Sequence, residues 1–254
     1  MARNASAKIL KALHQRTNNP IVFANVWDII SARAVAELPT SEALATASFA
    51  VARAAGLSDE KLTLDVNLAA VRNIANVAAE FKKPLTVDIQ DAYGPELETA
   101  INALLDLDVA GINLEDCALS TGDLYDVDEA SSRIERVLSV ARQRGVPDFV
   151  VNARCDALVK GFGLDEVLSR GKRYLAAGAT TVFVWGGKRG VSAAEVERLV
   201  AEFDGRLAVL ATMTPSGLSV QQLAEIGVAR ISVGPTLMFA ALKTLHDEAR
   251  KLLG

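Results

Sequence analysis

Past its first twenty residues the chain alternates between two hydrophobic rhythms. Short β-branched, apolar runs occupy 21–27, 43–50, 84–90, 110–116, 148–154, 180–186, 207–212 and 229–234. Between them apolar residues recur at spacings of three and four. In 65–81, for example, Val66, Ala69, Ala70, Ile74, Val77, Ala78 and Phe81 fall on one helical stripe. Similar stripes predict helices near 28–38, 96–107, 128–144, 164–177, 192–203, 218–226 and 236–252, with an N-terminal helix near 5–17. The strand-like runs are almost continuously apolar, as parallel strands covered on both faces must be. Gly178, Gly205 and Gly227 each follow a helical stripe, where a C-terminal cap belongs.

Eight β-type runs, each followed by a helix, predict an α/β protein: a single (β/α)8 TIM barrel over 1–254, its barrel beginning near residue 20. A doubly wound open sheet is disfavoured, because no Gly-x-Gly-x-x-Gly follows the first run. Composition narrows the function classes. With 27 Lys+Arg against 31 Asp+Glu the formal charge is −4, which provides no basic footprint for nucleic acid. No apolar run approaches the roughly 18 residues of a membrane span, and the N-terminus lacks the apolar core of a signal peptide. Two cysteines are too few for a disulfide scaffold, so a cytoplasmic location is expected. His14 and His246 are the only histidines, both read as solvated helix residues. Acid–base or metal chemistry therefore falls to carboxylates.

Barrel active sites lie at the C-terminal ends of the strands, and polar residues gather there: Asn25, Trp27 and Asp28, then Thr46 and Ser48, then Asp88, Gln90 and Asp91. Later runs end in Glu115-Asp116-Cys117, in Asn152, Arg154 and Asp156, in Trp185-Gly186-Gly187, and in Thr212 and Gly234-Pro235. Strand alternation puts Asp88 and Gln90 on one face, as it does Asn113 and Glu115, so Asp88 and Glu115 are expected to converge on one cation. Oxygen ligands without imidazole or thiolate favour Mg²⁺, or Mn²⁺. Arg154 is expected across the mouth, either as a fork for a substrate carboxylate or as the ion-pair partner of Glu115. Such a set suits an α-oxo acid whose enolate a metal stabilises. Asp91 and Asp116 read equally as caps for loop amides, and Cys117 and Cys155 as small loop or core residues. The run Gly186-Gly187-Lys188-Arg189-Gly190 is a weak phosphate-loop signal, with Lys188 in a solvated turn.

Five segments, Asn25-Val-Trp-Asp28, Asp88-Ile-Gln-Asp-Ala-Tyr-Gly94, Gly111-Ile-Asn-Leu-Glu-Asp116, Val151-Asn-Ala-Arg154 and Ser232-Val-Gly-Pro235, come in the order found in the isocitrate lyase/phosphoenolpyruvate mutase superfamily. The chain resembles that superfamily from about residue 20 to 245. The resemblance implies Mg²⁺ and chemistry at C–C or C–P bonds through an enolpyruvate-like species. It implies direct metal contact by Asp88 and metal-water contacts by Glu115 and Asp59. It also implies carboxylate binding by Arg154, an oxyanion-type turn at Thr46-Ala47-Ser48-Phe49, and a pocket floor at Asn25 and Trp27. A homodimer or homotetramer is implied as well, often with a swapped last helix. Leu237, Phe239, Leu242 and Leu245 suit that helix, although ordinary packing on the barrel also explains them.

Two departures from the family pattern bear on function. Gln90 stands where an acid is usual, which lowers the negative charge of the metal shell while keeping an acceptor for metal-bound water. The loop after the fourth run, Cys117-Ala-Leu-Ser-Thr-Gly-Asp-Leu-Tyr125, lacks the lysine-rich Cys-Gly segment of the isocitrate-type lyases and the lysine and asparagine of a phosphonomutase. The first expectation is an Mg²⁺-dependent lyase or decarboxylase of a small 2-oxo or 2-hydroxy carboxylate, with Arg154, Ser48 and Glu115 as catalytic residues and Tyr93, Cys117 or Ser48 as proton donor. The alternatives are a C–P bond enzyme and a barrel that binds an oxo acid without turnover.

Overall fold

A computed structural model describes residues 4–211 and 217–254. Eight parallel strands, β1 (Ile21–Phe23), β2 (Leu44–Ala45), β3 (Leu85–Asp88), β4 (Gly111–Glu115), β5 (Val150–Cys155), β6 (Thr181–Val184), β7 (Leu207–Leu210) and β8 (Arg230–Ser232), pair in the order β1-β8-β7-β6-β5-β4-β3-β2. The remaining seam, between β1 and β2, is joined by the Val26 amide donating to Ala45 O at 2.8 Å and by a parallel bridge between Val26 and Thr46. The result is a (β/α)8 TIM barrel. The helices are α1 (Ala5–Leu13), α2 (Ile29–Ala36), α3 (Ser48–Ala54), α4 (Leu64–Glu80), α5 (Leu97–Asp106), α6 (Val127–Gln143), α7 (Leu164–Ala176), α8 (Ala193–Glu202), α9 (Val220–Ile226) and α10 (Thr236–Leu253).

Local chemistry explains where the helices start and stop. Asp28 accepts from the Ser31 amide at 2.7 Å while the Ser31 hydroxyl accepts from the Asp28 amide, a reciprocal cap that opens α2. Ser192 with Glu195, and Ser219 with Gln222, open α8 and α9 in the same way. Gly227 closes α9 at φ +99°, a backbone conformation that side-chain-bearing residues avoid.

Three local expectations need correction. The second apolar run does not stay extended: β2 ends at Ala45 and α3 begins at Ser48, because a short alanine-rich run carries no period that separates strand from helix. The N-terminal helix stops at Leu13 instead of reaching 17. His14 is buried, not solvated; its Nδ1 lies 2.8 Å from Leu10 O and its ring centre 6.4 Å from that of Phe23. It sits beneath the barrel, where α1 buries Leu10 and is tied by Lys11 to Asp148 before β5 at 3.0 Å. Thr212, expected at the end of the seventh strand, lies outside the described residues.

Candidate active site

A cavity of about 350 Å³ opens at the C-terminal ends of the strands. Asn25, Thr46, Ala47, Ser48, Asp59, Asp88, Gln90, Glu115 and Arg154 all line it. Trp27 does not: it packs against Ala47, Ala50 and Met238, under α3. Of the three expected proton donors, Ser48 and Cys117 line the cavity. The Tyr93 hydroxyl instead accepts from Asn67 Nδ2 at 2.6 Å, away from the cavity wall.

Two layers of side chains build the site, each set by strand register. In the lower one Asp88, Asn113, Asn152 and Thr181 stand level on β3, β4, β5 and β6. Thr181 Oγ1 donates to Asn152 Oδ1 at 2.7 Å, Asn152 Nδ2 to Asn113 Oδ1 at 2.8 Å, and Asn113 Nδ2 to Asp88 Oδ1 at 3.1 Å. The chain of donors thus ends on the carboxylate. From the other side the Ser48 amide donates to Asp88 Oδ2 at 2.9 Å, and Thr46 Oγ1 accepts from the Asp88 amide at 2.9 Å. Thr46 and Ser48, expected to receive substrate oxygens, therefore also bracket Asp88.

The upper layer places Glu115 level with Arg154, and Arg154 level with Phe183. The arginine sits beside Glu115 instead of facing it across the mouth. Arg154 Nη1 donates to Glu115 at 2.7 Å, and Nε and Nη2 donate to the two Asp156 oxygens at 2.7 and 3.0 Å. Its face stacks on Trp185, 4.1 Å from the ring centre. Asp156 is held in turn, its amide donating to Asp116 Oδ1 at 2.8 Å, while Tyr174 donates to Asp116 Oδ2 at 2.6 Å. Burial opposes the charge on Arg154, but Glu115 and Asp156 outweigh it and raise its pKa. Burial also pushes the Glu115 carboxyl up, against the pull of Arg154 and with the help of the nearby carboxylates. Burial and the Asp88 charge together lift Asp59 to about 6.

Gln90 reaches this cluster by an unexpected route. β3 ends at Asp88 and Gln90 lies at φ +53°, so strand alternation no longer aims its side chain. Its Nε2 donates to Asp59 Oδ1 at 3.0 Å and to Asp59 O at 2.9 Å. Gln90 Oε1 is buried without a partner. The glycine-rich run after β6 lies outside this cavity. A Cβ on Gly186 would come within 1.9 Å of Gly190 O, so the glycine is required by the turn itself, and Lys188 is exposed.

The phosphoenolpyruvate phosphomutase family profile matches residues 10–253. The chain belongs to this family. An uncharacterised Mycobacterium tuberculosis protein is 33% identical over 235 residues, 91% of this chain and 84% of that one. The oxaloacetate decarboxylase of Ectopseudomonas mendocina is 28% identical, covering 91% of this chain and 79% of its own. The crystal structure of a Burkholderia cenocepacia protein provisionally named a phosphonomutase is 35% identical, with a TM-score of 0.86 over 98% of this chain and 99% of that one. Membership places the chain among the lyases and mutases of the phosphoenolpyruvate mutase/isocitrate lyase superfamily. Besides Glu60 and Lys160, which lie outside the strands, two polar cavity residues on the strands themselves escaped the sequence reading. Asn113 was noted only for its face, and Arg230 was hidden in the apolar run 229–234. A lone cation inside a strand-like run is the signal that marks the second.

Proposed function

We propose that this protein is a divalent-metal-dependent lyase of a small 2-oxo or 2-hydroxy carboxylate, breaking a C–C bond, decarboxylation included, so that its electron pair is left as an enolate. The observation that carries this reading is the orphaned Gln90 Oε1 among Asp59, Asp88 and Glu115 on one cavity wall. Among the described residues no three His, Cys, Asp or Glu side chains enclose an ion directly. That donor set fits Mg²⁺, which keeps several waters and takes one or two carboxylates. Asp88 would be the direct ligand, with Asp59, Glu115 and Gln90 receiving hydrogen bonds from metal-bound waters. When bound, the cation supplies Lewis acidity to an oxo acid's oxygens.

The chain's own residues do the rest. Arg154 uses one N–H on each of Nε, Nη1 and Nη2 for Glu115 and Asp156, which leaves one N–H on each terminal nitrogen for a substrate carboxylate. Trp185 covers the guanidinium face and fixes that fork. Burial raises the Cys117 thiol, so Cys117 holds its proton at neutral pH. Cys117 and Ser48 both line the cavity, which supports them as the candidates to return a proton to the enolate carbon. The similarity to an oxaloacetate decarboxylase over most of both chains supports the C–C reading. The provisional phosphonomutase name of the Burkholderia relative favours a second reading, C–P bond cleavage, in the same cavity. Phe239, Leu242 and Leu245 of α10 are at least half exposed, which supports self-association through that helix as a homodimer or homotetramer.

Calorimetric titration with oxalate, a flat mimic of the enolate, tests the site. Binding is expected to require both Mg²⁺ and Asp88, with Asp88→Ala weakening it more than about 100-fold. Binding of equal strength without metal, or in the variant, would sink the proposal. Parallel assays with oxaloacetate and phosphonopyruvate separate the two bond classes.

A further inference from the structure

Between Asp88 and Gly94 the chain holds a backbone that its sequence does not favour. Gln90, Ala92 and Tyr93 lie at φ +53°, +58° and +58°, and Gly94 follows at +63°. Of these four only glycine takes the left-handed region without penalty, so the other three persist because their surroundings fix them. Helix α6 supplies one constraint. Its Arg133 is 4% exposed, and both of its bonded partners are carbonyl oxygens: Nη2 donates to Asp91 O, and Nη1 to Gly94 O at 3.2 Å. One guanidinium therefore brackets Ala92 and Tyr93 from either side. Its Cζ lies 4.6 Å from the centre of the Tyr125 ring, and the Tyr125 hydroxyl donates to Asp91 Oδ2 at 2.9 Å. From α4, Asn67 Nδ2 donates to Asp88 O at 2.9 Å and holds the other end of the segment.

Gln90 sits between the two clamped ends. Its carbonyl accepts from the Glu115 amide at 2.8 Å, and its Nε2 reaches Asp59. A neutral amide is not drawn towards a cation as a carboxylate is, so its aim must come from the backbone that carries it. Burying a cation against carbonyls alone is costly, and a merely packed helix face does not require it. We propose that Arg133 is a positioning residue: by clamping the left-handed turn after β3 it keeps Gln90 turned onto Asp59, with Gln90 Oε1 presented to a metal-bound water. This inference rests on the metal-dependent reading of the cavity. It adds a buried side chain of α6 that does not line that cavity and acts on it only through the backbone of 91–94.

The test is calorimetric titration of the full chain with oxalate at a series of Mg²⁺ concentrations, for Arg133→Met, Gln90→Ala and the two combined. Arg133→Met removes the donors and keeps an apolar stem. Each single variant is expected to raise the Mg²⁺ concentration for half-maximal oxalate binding about 10-fold, the effect of losing an outer partner of a metal site. Oxalate affinity at saturating Mg²⁺ should stay within about threefold, because Asp88 and Arg154 keep their partners, a split that a general loss of structure would not produce. The double variant should match the single ones within about twofold, since both remove the same contact. Ala92→Gly lowers the cost of the left-handed turn and is expected to restore Mg²⁺ dependence in Arg133→Met. Arg133→Lys, which keeps the charge and one donor, should show a smaller shift and preserves the test if the methionine variant does not fold. An unchanged Mg²⁺ dependence, losses that multiply in the double variant, or no restoration by glycine overturns the role of Arg133 and leaves the metal site standing. Failure of oxalate to bind the unsubstituted protein overturns the site and the inference together.

Discussion

Two arginines reach one cavity from strands separated by β6 and β7, and their surroundings are opposite. Arg154 is enclosed by matched partners: two carboxylates, an aromatic face, and an aspartate behind them that holds Asp156 in place. Arg230 has an aromatic ring, and its Nε and Nη1 meet no acceptor among the described residues. The β3–β6 side of the site is therefore a connected polar network, open only at Gln90 Oε1 and organised before any ligand arrives. The β8–β1 side carries a buried charge whose Nε and Nη1 meet no acceptor among the described residues. A preorganised network positions groups without reorganisation during reaction, whereas a buried charge without bonded acceptors is a standing penalty to the fold.

The largest contrast concerns stability. Arg154→Met should destabilise the fold by about 3–5 kcal/mol, because it strands Glu115 and Asp156 as buried carboxylates. Arg230→Met should leave the urea midpoint unchanged or raise it, since Nε and Nη1 abandon no partner among the described residues. Equal losses in the two variants would erase the distinction.

A smaller effect tests whether the ladder beneath Arg154 is a single network. Asn113→Ala removes the link between Asp88 Oδ1 and Asn152 Nδ2 and should cost about 1–3 kcal/mol in the same unfolding experiment. It should also weaken Mg²⁺-dependent oxalate binding, whereas an intact oxalate affinity would reduce the ladder to a packing role.

A third effect lies under β8 and is read as a pH slope. Burial first, and then Arg230, draws His14 down to about 3 from an ordinary 6.5. The unfolded chain consequently binds more protons than the native one between those values. Stability from this group is complete above pH 6.5 and falls as the pH drops through the window, by at most about 1.4 kcal/mol per pH unit. His14→Leu should flatten that slope in urea midpoints between pH 4.5 and 7.5. Arg230→Met should narrow the window by removing one of the cations that depress His14.

Much of this architecture was legible before any coordinates. The helical stripe at 65–81 became α4 over Leu64–Glu80, and the run at 110–116 became β4 over Gly111–Glu115. Period and capping chemistry are local properties, and they survive folding here. The exceptions are places where a local pattern was ambiguous or was overridden. Alanines 47 and 50 carry too little side chain to choose a period, so the second run broke into α3. Gln90 was assigned by alternation, but the strand had already ended, and a left-handed backbone turned it onto Asp59 instead. His14 reads as solvated because the chain that follows it, Gln15-Arg16-Thr17, is polar, while its neighbours in space are Leu10 and Phe23.

The number and order of elements, their caps, and the gathering of acids at strand ends follow from neighbours along the chain, and the linear order of residues was enough to determine them. Which of those polar groups meet was decided by register among strands far apart in sequence. Asp88, Asn113, Asn152 and Thr181 form a ladder because parallel pairing brings them level. Arg154 meets two carboxylates and Arg230 the Phe23 ring for the same reason. Partners and desolvation are properties of a position in space, and only the closed barrel assigns them.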